Sequence, residues 1–188
     1  MQFHSLPVHG ARLIELEMRG DDRGFFARVF CESEFRDQGL VSQFLQVNNS
    51  LSKKKGTLRG LHYQTAPHSE VKVVRCVRGS VWDAILDLRP QSPTYMKWYG
   101  VELSEYNRLS LYVPRGFAHA ILTLTDDAEV LYMVSDAYSP EHERGIRWND
   151  PAFDIDWPIA PEELSVKDAN WPDFDAQFHG VETFRTLG

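Results

Sequence analysis

Between residues 11 and about 135 the chain alternates short apolar, β-branched or aromatic stretches with turn residues. "ARLIELE", "FFARVF", "QFLQVN", "TLRGLHYQ", "VKVVRCV", "SVWDAILDL", "KWYGVEL", "SLYVP", "AHAILTL" and "EVLYMVS" each have about the length of a strand. Gly20-Asp21-Asp22, Arg78-Gly79, Arg89-Pro90 and Asp126-Asp127 punctuate them. Many closely spaced strands predict an all-β sandwich or barrel rather than alternating β-α-β units. The alternation in "VKVVRCV" and "SVWDAILDL" predicts one buried face, and "SEFRDQGL" reads as a short helical interruption. After residue 139 the chain becomes rich in Pro, Asp and Trp, which suggests an ordered tail with one or two helical turns wrapped on the barrel. The expectation is one domain over 1–188, with the barrel strands in 1–138 and the tail in 139–188.

Composition narrows the function classes. The 188 residues suit a single domain with a real core, and 43% hydrophobic with 12% aromatic residues marks a globular chain. No stretch approaches the roughly 18 apolar residues that would cross a bilayer, so no membrane partner is expected. "MQFHSLPVHGARLIELE" lacks a basic start followed by an apolar block, which points to the cytoplasm. Cys31 and Cys76 are far apart and read as ordinary thiols. A formal net charge of -7 argues against nucleic acid as a partner, and Lys53-Lys54-Lys55 reads as a solvated loop.

The chemistry centres on His62, a polar residue in the apolar run "TLRGLHYQ". Inward polar residues of a barrel are costly unless something satisfies them. Simple alternation places Leu58, Gly60, His62 and Gln64 on one face and Arg59, Leu61 and Tyr63 on the other, so neither face is uniformly apolar. Packing, metal ligation and proton transfer all stay open for His62 on this ground. Lys72 shares a face with Val74, Tyr132 lies between Leu131 and Met133, and His119 follows Pro114 and Gly116, which mark a tight lead-in to a strand. "PRGFAH" is similar to the second motif of metal-binding cupin barrels. Gln64, however, stands where a second imidazole would be needed, and a three-ligand set is not visible, so no metal is expected.

"DDRGFFARVF", "QVNNS", "TLRGLHYQ", "VKVVRCVRGSVWDAILDLR", "VPRGFAHA", "EVLYMVSDAYSPEHERGIRWNDP" and "LSVKD" together resemble the dTDP-4-dehydrorhamnose 3,5-epimerase family, in order, over about residues 8 to 172. The resemblance implies a cupin-like jelly-roll β barrel with short helices, mainly near the C-terminus. It implies a homodimer with exchanged N-terminal strands and inversion of C3 and C5 in a nucleotide-diphosphate 4-keto-6-deoxyhexose. By the matched motifs His62 is the base, Asp168 orients it, Lys72 is the cation near the enolate oxygen, and Tyr132 is the acid on the opposite face. Arg23 and Arg59 match pyrophosphate-gripping positions. Gln46 and Asn48 match the nucleotide-contacting pair, and His119, Tyr138, Glu143 and Lys167 match further substrate contacts. No cofactor is implied, since the ketone itself acidifies the neighbouring C–H bonds. Phe25 and Phe26 either stack on a base or fill the core.

Departures from the family pattern bear on specificity. Arg28 stands where the family usually has a nucleotide-contacting glutamate, replacing an acceptor with a donor, and Ala120 stands where glycine is usual. The alternatives are a single-centre epimerase on a CDP- or GDP-linked sugar, a non-catalytic sugar-nucleotide-binding cupin, and a metal-dependent cupin oxygenase.

Overall fold

The computed structural model describes residues 1–185; the last three residues of the expected tail, 186–188, lie outside the described residues. In chain order the strands are β1 (Gln2–Ser5), β2 (Arg12–Glu15), β3 (Arg19–Asp21), β4 (Gly24–Phe26), β5 (Gln46–Ser52), β6 (Leu58–Gln64) and β7 (Lys72–Arg78). They continue as β8 (Ser80–Asp87), β9 (Trp98–Ser104), β10 (Ser110–Val113), β11 (Phe117–Thr123), β12 (Ala128–Val134) and β13 (Glu143–Gly145). Helix α1 (Glu32–Asp37) precedes β5, helix α2 (Val166–Ala169) lies in the tail, and a 3-10 turn covers Val181–Phe184.

Two antiparallel sheets form, one ordered β1-β2-β10-β7-β12-β5 and the other β13-β6-β11-β8-β9, while β3 and β4 make a separate hairpin. Neighbours distant in sequence, such as β2 with β10, make this an all-β, cupin-like jelly roll. The interior lies between the sheets. Val74 and Cys76 of β7 and Val130 of β12 meet Val81 and Ile85 of β8 and Phe117 of β11. Cys76 is thus an inert core thiol, pushed up to about 11 by burial, and Cys31, half-buried before α1, is also free.

The structure corrects four expectations. Central strands are buried on both faces over part of their length, because α1 and the tail cover part of the outer sides. Phe35 packs with Ile14, Val73 and Tyr112, and Ile146, Phe153, Val181 and Phe184 pack with Leu61, Tyr63 and Leu86. Each fully buried side chain of this size contributes about 2 to 3 kcal/mol. The tail also supplies a barrel strand: β13 pairs with β6, Glu143 opposite Gln64 and Gly145 opposite His62, so the barrel extends past residue 138. "FFARVF" forms only a three-residue strand ending at Phe26, and Phe25 and Phe26 are 48% and 71% exposed, so neither fills the core.

The fourth correction sets the site. His62 stands opposite His119 but Arg59 opposite Ile121, so three steps along β6 answer two along β11. That is a β-bulge. Paired residues share a face, and so do His119 and Ile121, two apart; the bulge therefore turns Arg59 and His62 to the same side, against simple alternation. Gly60 sits in the bulge at φ 127°, where a Cβ would lie 2.5 Å from the His119 carbonyl oxygen and 2.6 Å from Ala120 Cα. Only glycine fits there without a backbone shift.

Candidate active site

A cleft of about 320 Å³ opens between the sheets, within the size range of small-molecule sites. One wall is His62, Tyr63 and Gln64 of β6 with Glu143 of β13; the other is Lys72 of β7, Tyr132 and Val134 of β12, and Gln46 and Asn48 of β5. Glu70, Asp136 and Tyr138 complete it. Because His62 and Tyr132 come from opposite sheets, a ring lying between them would meet one on each side.

The tail reaches across to the first wall. Glu163 forms a parallel bridge with Thr57 and accepts from Lys54 Nζ at 2.5 Å, which brings the chain alongside β6. Ser165 then caps α2, its hydroxyl accepting from the Asp168 amide at 3.0 Å, and the Asp168 carboxylate arrives 2.5 Å from His62 Nε2. Burial alone would raise the Asp168 carboxyl. Hydrogen bonds from His62, Ser165 and the Gly60 amide outweigh it and hold the group below its ordinary value. An ionised carboxylate only accepts, so Nε2 carries the hydrogen and Nδ1 is the nitrogen free to take a proton. The Trp171 indole packs against Gly145, where a Cβ would collide with it, so the tail lies flush beside His62.

Charge is arranged in pairs around the cleft. Glu143 forms an ion pair with Lys167 Nζ at 2.5 Å and accepts from the Tyr138 hydroxyl at 2.7 Å. Burial would raise its carboxyl, but these donors and the nearby His62 hold it below the usual range, while the bond to Glu143 raises the Tyr138 hydroxyl. Lys72 Nζ lies 3.4 Å from the His62 carbonyl oxygen and 3.1 Å from Glu70 Oε1. Among the described residues no three His, Cys, Asp or Glu side chains gather as a metal-binding group.

The family model for dTDP-4-dehydrorhamnose 3,5-epimerase matches residues 5–176. The chain belongs to the dTDP-4-dehydrorhamnose 3,5-epimerase family. It is 45% identical over 173 residues to the dTDP-4-dehydrorhamnose 3,5-epimerase of Sinorhizobium fredii, covering 92% of this chain and 89% of that one. The crystal structure of the Elizabethkingia anophelis enzyme superposes with a TM-score of 0.90 at 41% identity, covering 93% of this chain and 96% of the other. A 3′-monoepimerase from Streptomyces bikiniensis, solved with dTDP-quinovose, also matches, with a TM-score of 0.88 at 32% identity over 98% and 96% of the two chains.

Most residues matched to the dTDP-4-dehydrorhamnose 3,5-epimerase motifs come together. Gln46, Asn48, His62, Lys72, Tyr132, Tyr138 and Glu143 line the cleft, and Asp168 and Lys167 bond to His62 and Glu143. Arg59 lies in an adjoining groove with Thr57, residues 162–165 and Asp168, its Nε donating to Ser52 Oγ at 3.0 Å. His119 lies behind His62 on β11, almost buried, with Nε2 2.9 Å from an Asp83 oxygen but not aligned as a hydrogen bond.

Arg23 and Arg28 are not brought to the cleft of their own chain. Arg23, 90% exposed, pairs with Asp21 on the β3–β4 hairpin, and Arg28 pairs with Glu34 of α1 at 2.8 Å. The pairing of Arg28 explains how a guanidinium is accommodated there without its reaching the cleft. Sequence reasoning missed Glu70 and Asp83. The signal for Asp83 was present, since this fully buried acid interrupts the apolar run "SVWDAILDL" in phase with the inward Val81 and Ile85. Glu70, ahead of β7, offered no such phase.

Proposed function

We propose that the chain is an isomerase that inverts C3 and C5 of dTDP-4-keto-6-deoxyglucose, with His62 as base, Tyr132 as acid and Lys72 beside the developing enolate. The observation that carries this reading is the bonded His62–Asp168 pair facing Tyr132 across one cleft. His62 Nδ1 takes the proton from a carbon next to the ketone, and the bond to Asp168 stabilises the imidazolium that results. The electron pair of the broken C–H bond moves to the ketone oxygen, where the Lys72 ammonium offsets the charge. Tyr132 O–H then delivers a proton to that carbon from the opposite side, which restores the ketone with inverted configuration.

The diphosphate lies toward Arg59, and the base lies near Gln46, Asn48 and Tyr138. A homodimer supplies the rest: Arg23 grips a diphosphate only if the exposed hairpin reaches the cleft of a second copy. The exposed apolar Val47, Leu51, Val77 and Leu131 on the outer side of the six-stranded sheet supply a surface for such pairing. Two free cysteines suit work in the cytoplasm. No helix of the described residues is long and apolar enough to cross a membrane.

Proton NMR in deuterated water with dTDP-4-keto-6-deoxyglucose tests the reading. Loss of signal at both C3 and C5 is expected. Loss at one carbon alone assigns a single-centre reaction, the reading that similarity to a monoepimerase supports. No exchange at either carbon overturns the epimerase assignment.

A further inference from the structure

Glu70 stands two residues before Lys72 and belongs to none of the motifs matched to the family. Its side chain is only 8% exposed, yet it lines the cleft and its carboxylate has two partners. Oε1 lies 3.1 Å from Lys72 Nζ, and Oε2 accepts from Gln64 Nε2 at 3.1 Å. A carboxylate so far withdrawn from water is costly unless its charge is answered, and the Lys72 ammonium answers it.

The other end of the carboxylate is anchored on an immobile amide. Gln64 Nε2 shares its two hydrogens between Glu70 and the carbonyls of His68 at 2.9 Å and Ala137 at 3.2 Å, and Gln64 Oε1 accepts from the Ser139 amide at 2.5 Å. Gln64 therefore ties β6, the segment before β7 and the loop that carries Tyr138 into one frame, and Glu70 hangs Lys72 from that frame. Lysine is a point charge on a flexible four-carbon stem, which left alone spreads that charge over many rotamers. Here the ammonium pairs with Glu70 Oε1 at 3.1 Å and donates to the His62 carbonyl at 3.4 Å, which confines its charge to the wall of the cleft.

We propose that Glu70 is a positioning residue of the reaction, fixing the Lys72 ammonium where the enolate oxygen forms. The proposal rests on the reading of Lys72 given above. It deepens that reading by placing a carboxylate in the cleft that acts on the substrate only through a neighbouring cation.

The test measures hydrogen–deuterium exchange at C3 and C5, with kcat and KM, for wild type, Lys72→Ala, Glu70→Ala, Glu70→Gln and the Glu70→Ala/Lys72→Ala double variant. Glu70→Ala should slow exchange and kcat by about 10- to 100-fold, as small misplacements of reacting groups do, with KM within about threefold. Glu70→Gln keeps an oxygen acceptor at the same reach and should fall between wild type and Glu70→Ala. In the Lys72→Ala background, Glu70→Ala should cost less than about twofold more, since a residue acting through Lys72 has nothing left to position. Should Glu70→Ala fail to fold, Glu70→Gln against Lys72→Ala carries the same coupling test.

Four results overturn the proposal. Wild-type exchange in Glu70→Ala does so, as does a full additional loss on top of Lys72→Ala, in each case with the role of Lys72 intact. No exchange in the wild type, or no effect of Lys72→Ala, removes the underlying reading and this inference with it.

Discussion

The wall around His62 and the β3–β4 hairpin around Arg23 carry motifs of one family, yet they are built in opposite ways. At the wall, β6, β11, β13 and the tail converge. His62 is bonded to an almost fully buried Asp168, backed by His119 and held by a bulge that only Gly60 fits. At the hairpin, three-residue strands leave Arg23 paired, among the described residues, only with Asp21, two residues away, and Phe26 open to water. Groups that move protons gain from rigid preorganisation, because their contribution depends on sub-ångström placement. In the proposed function, the group that would grip the diphosphate is carried on a projecting arm and completes the cleft of a second copy.

The deepest break is His62→Ala. It should slow exchange at C3 and C5 by about 10³-fold or more, the range for general acid–base groups, while nucleotide affinity stays within about threefold. Exchange retained by this variant would remove His62 from the base role. Asp168→Asn keeps the shape but loses the carboxylate that orients Nε2–H, so kcat should fall by roughly 10²- to 10³-fold with KM little changed. An unchanged kcat would make the His62–Asp168 bond structural only.

The hairpin side is tested by mixing. Arg23→Ala should weaken substrate binding by about tenfold with exchange still measurable at saturation, since it removes a charge-assisted contact rather than a proton carrier. If the hairpin serves a second copy, co-refolded Arg23→Ala and His62→Ala chains contain dimers with one undamaged site. Turnover at low substrate should then exceed the average of the two parents. A strictly averaged activity would place Arg23 at its own chain's cleft or nowhere in the site.

The smallest effect is on stability. The folded Asp168 carboxyl sits below the ordinary carboxyl value of 3.8, so the unfolded chain takes up a proton there first as pH falls. The stabilisation it contributes is fully present above 3.8 and disappears as pH drops through the folded value. Urea midpoints of wild type and Asp168→Asn should therefore differ at pH 6, and the gap should narrow as pH falls below 3.8. A gap that persists unchanged would assign the difference to packing rather than to charge.

Legibility in the sequence followed the range of the forces involved. Nine of the ten strand-like stretches share three or more residues with a strand, because alternation and turn residues act within a few positions, while "FFARVF" gives only Phe25 and Phe26 to β4. β1, β3 and β13 escaped, being four residues or fewer with little apolar pattern of their own. The doubly buried faces of β7 and β8 were read as singly buried, because nothing in a strand's own pattern announces that a helix or a tail packs on its outer side. His62 stood out as a polar residue in an apolar run, whereas Glu70 sat in a polar segment where one more carboxylate is unremarkable.

By itself, the order of residues determined the all-β class, the central histidine, lysine and tyrosine, and the family whose motifs they complete, since each is written in local pattern and residue type. Tertiary structure decided which face each group takes and which partner it meets. One bulge at Gly60 reverses the alternation that would separate Arg59 from His62. Asp168, one of 27 acidic residues and 106 positions from His62, becomes its partner only when the tail closes over β6. Long-range contacts of this kind depend on chain closure and on the packing of both sheets at once. A carboxylate acquires its partner from the fold, because charge is a property of the residue and distance is a property of the whole molecule.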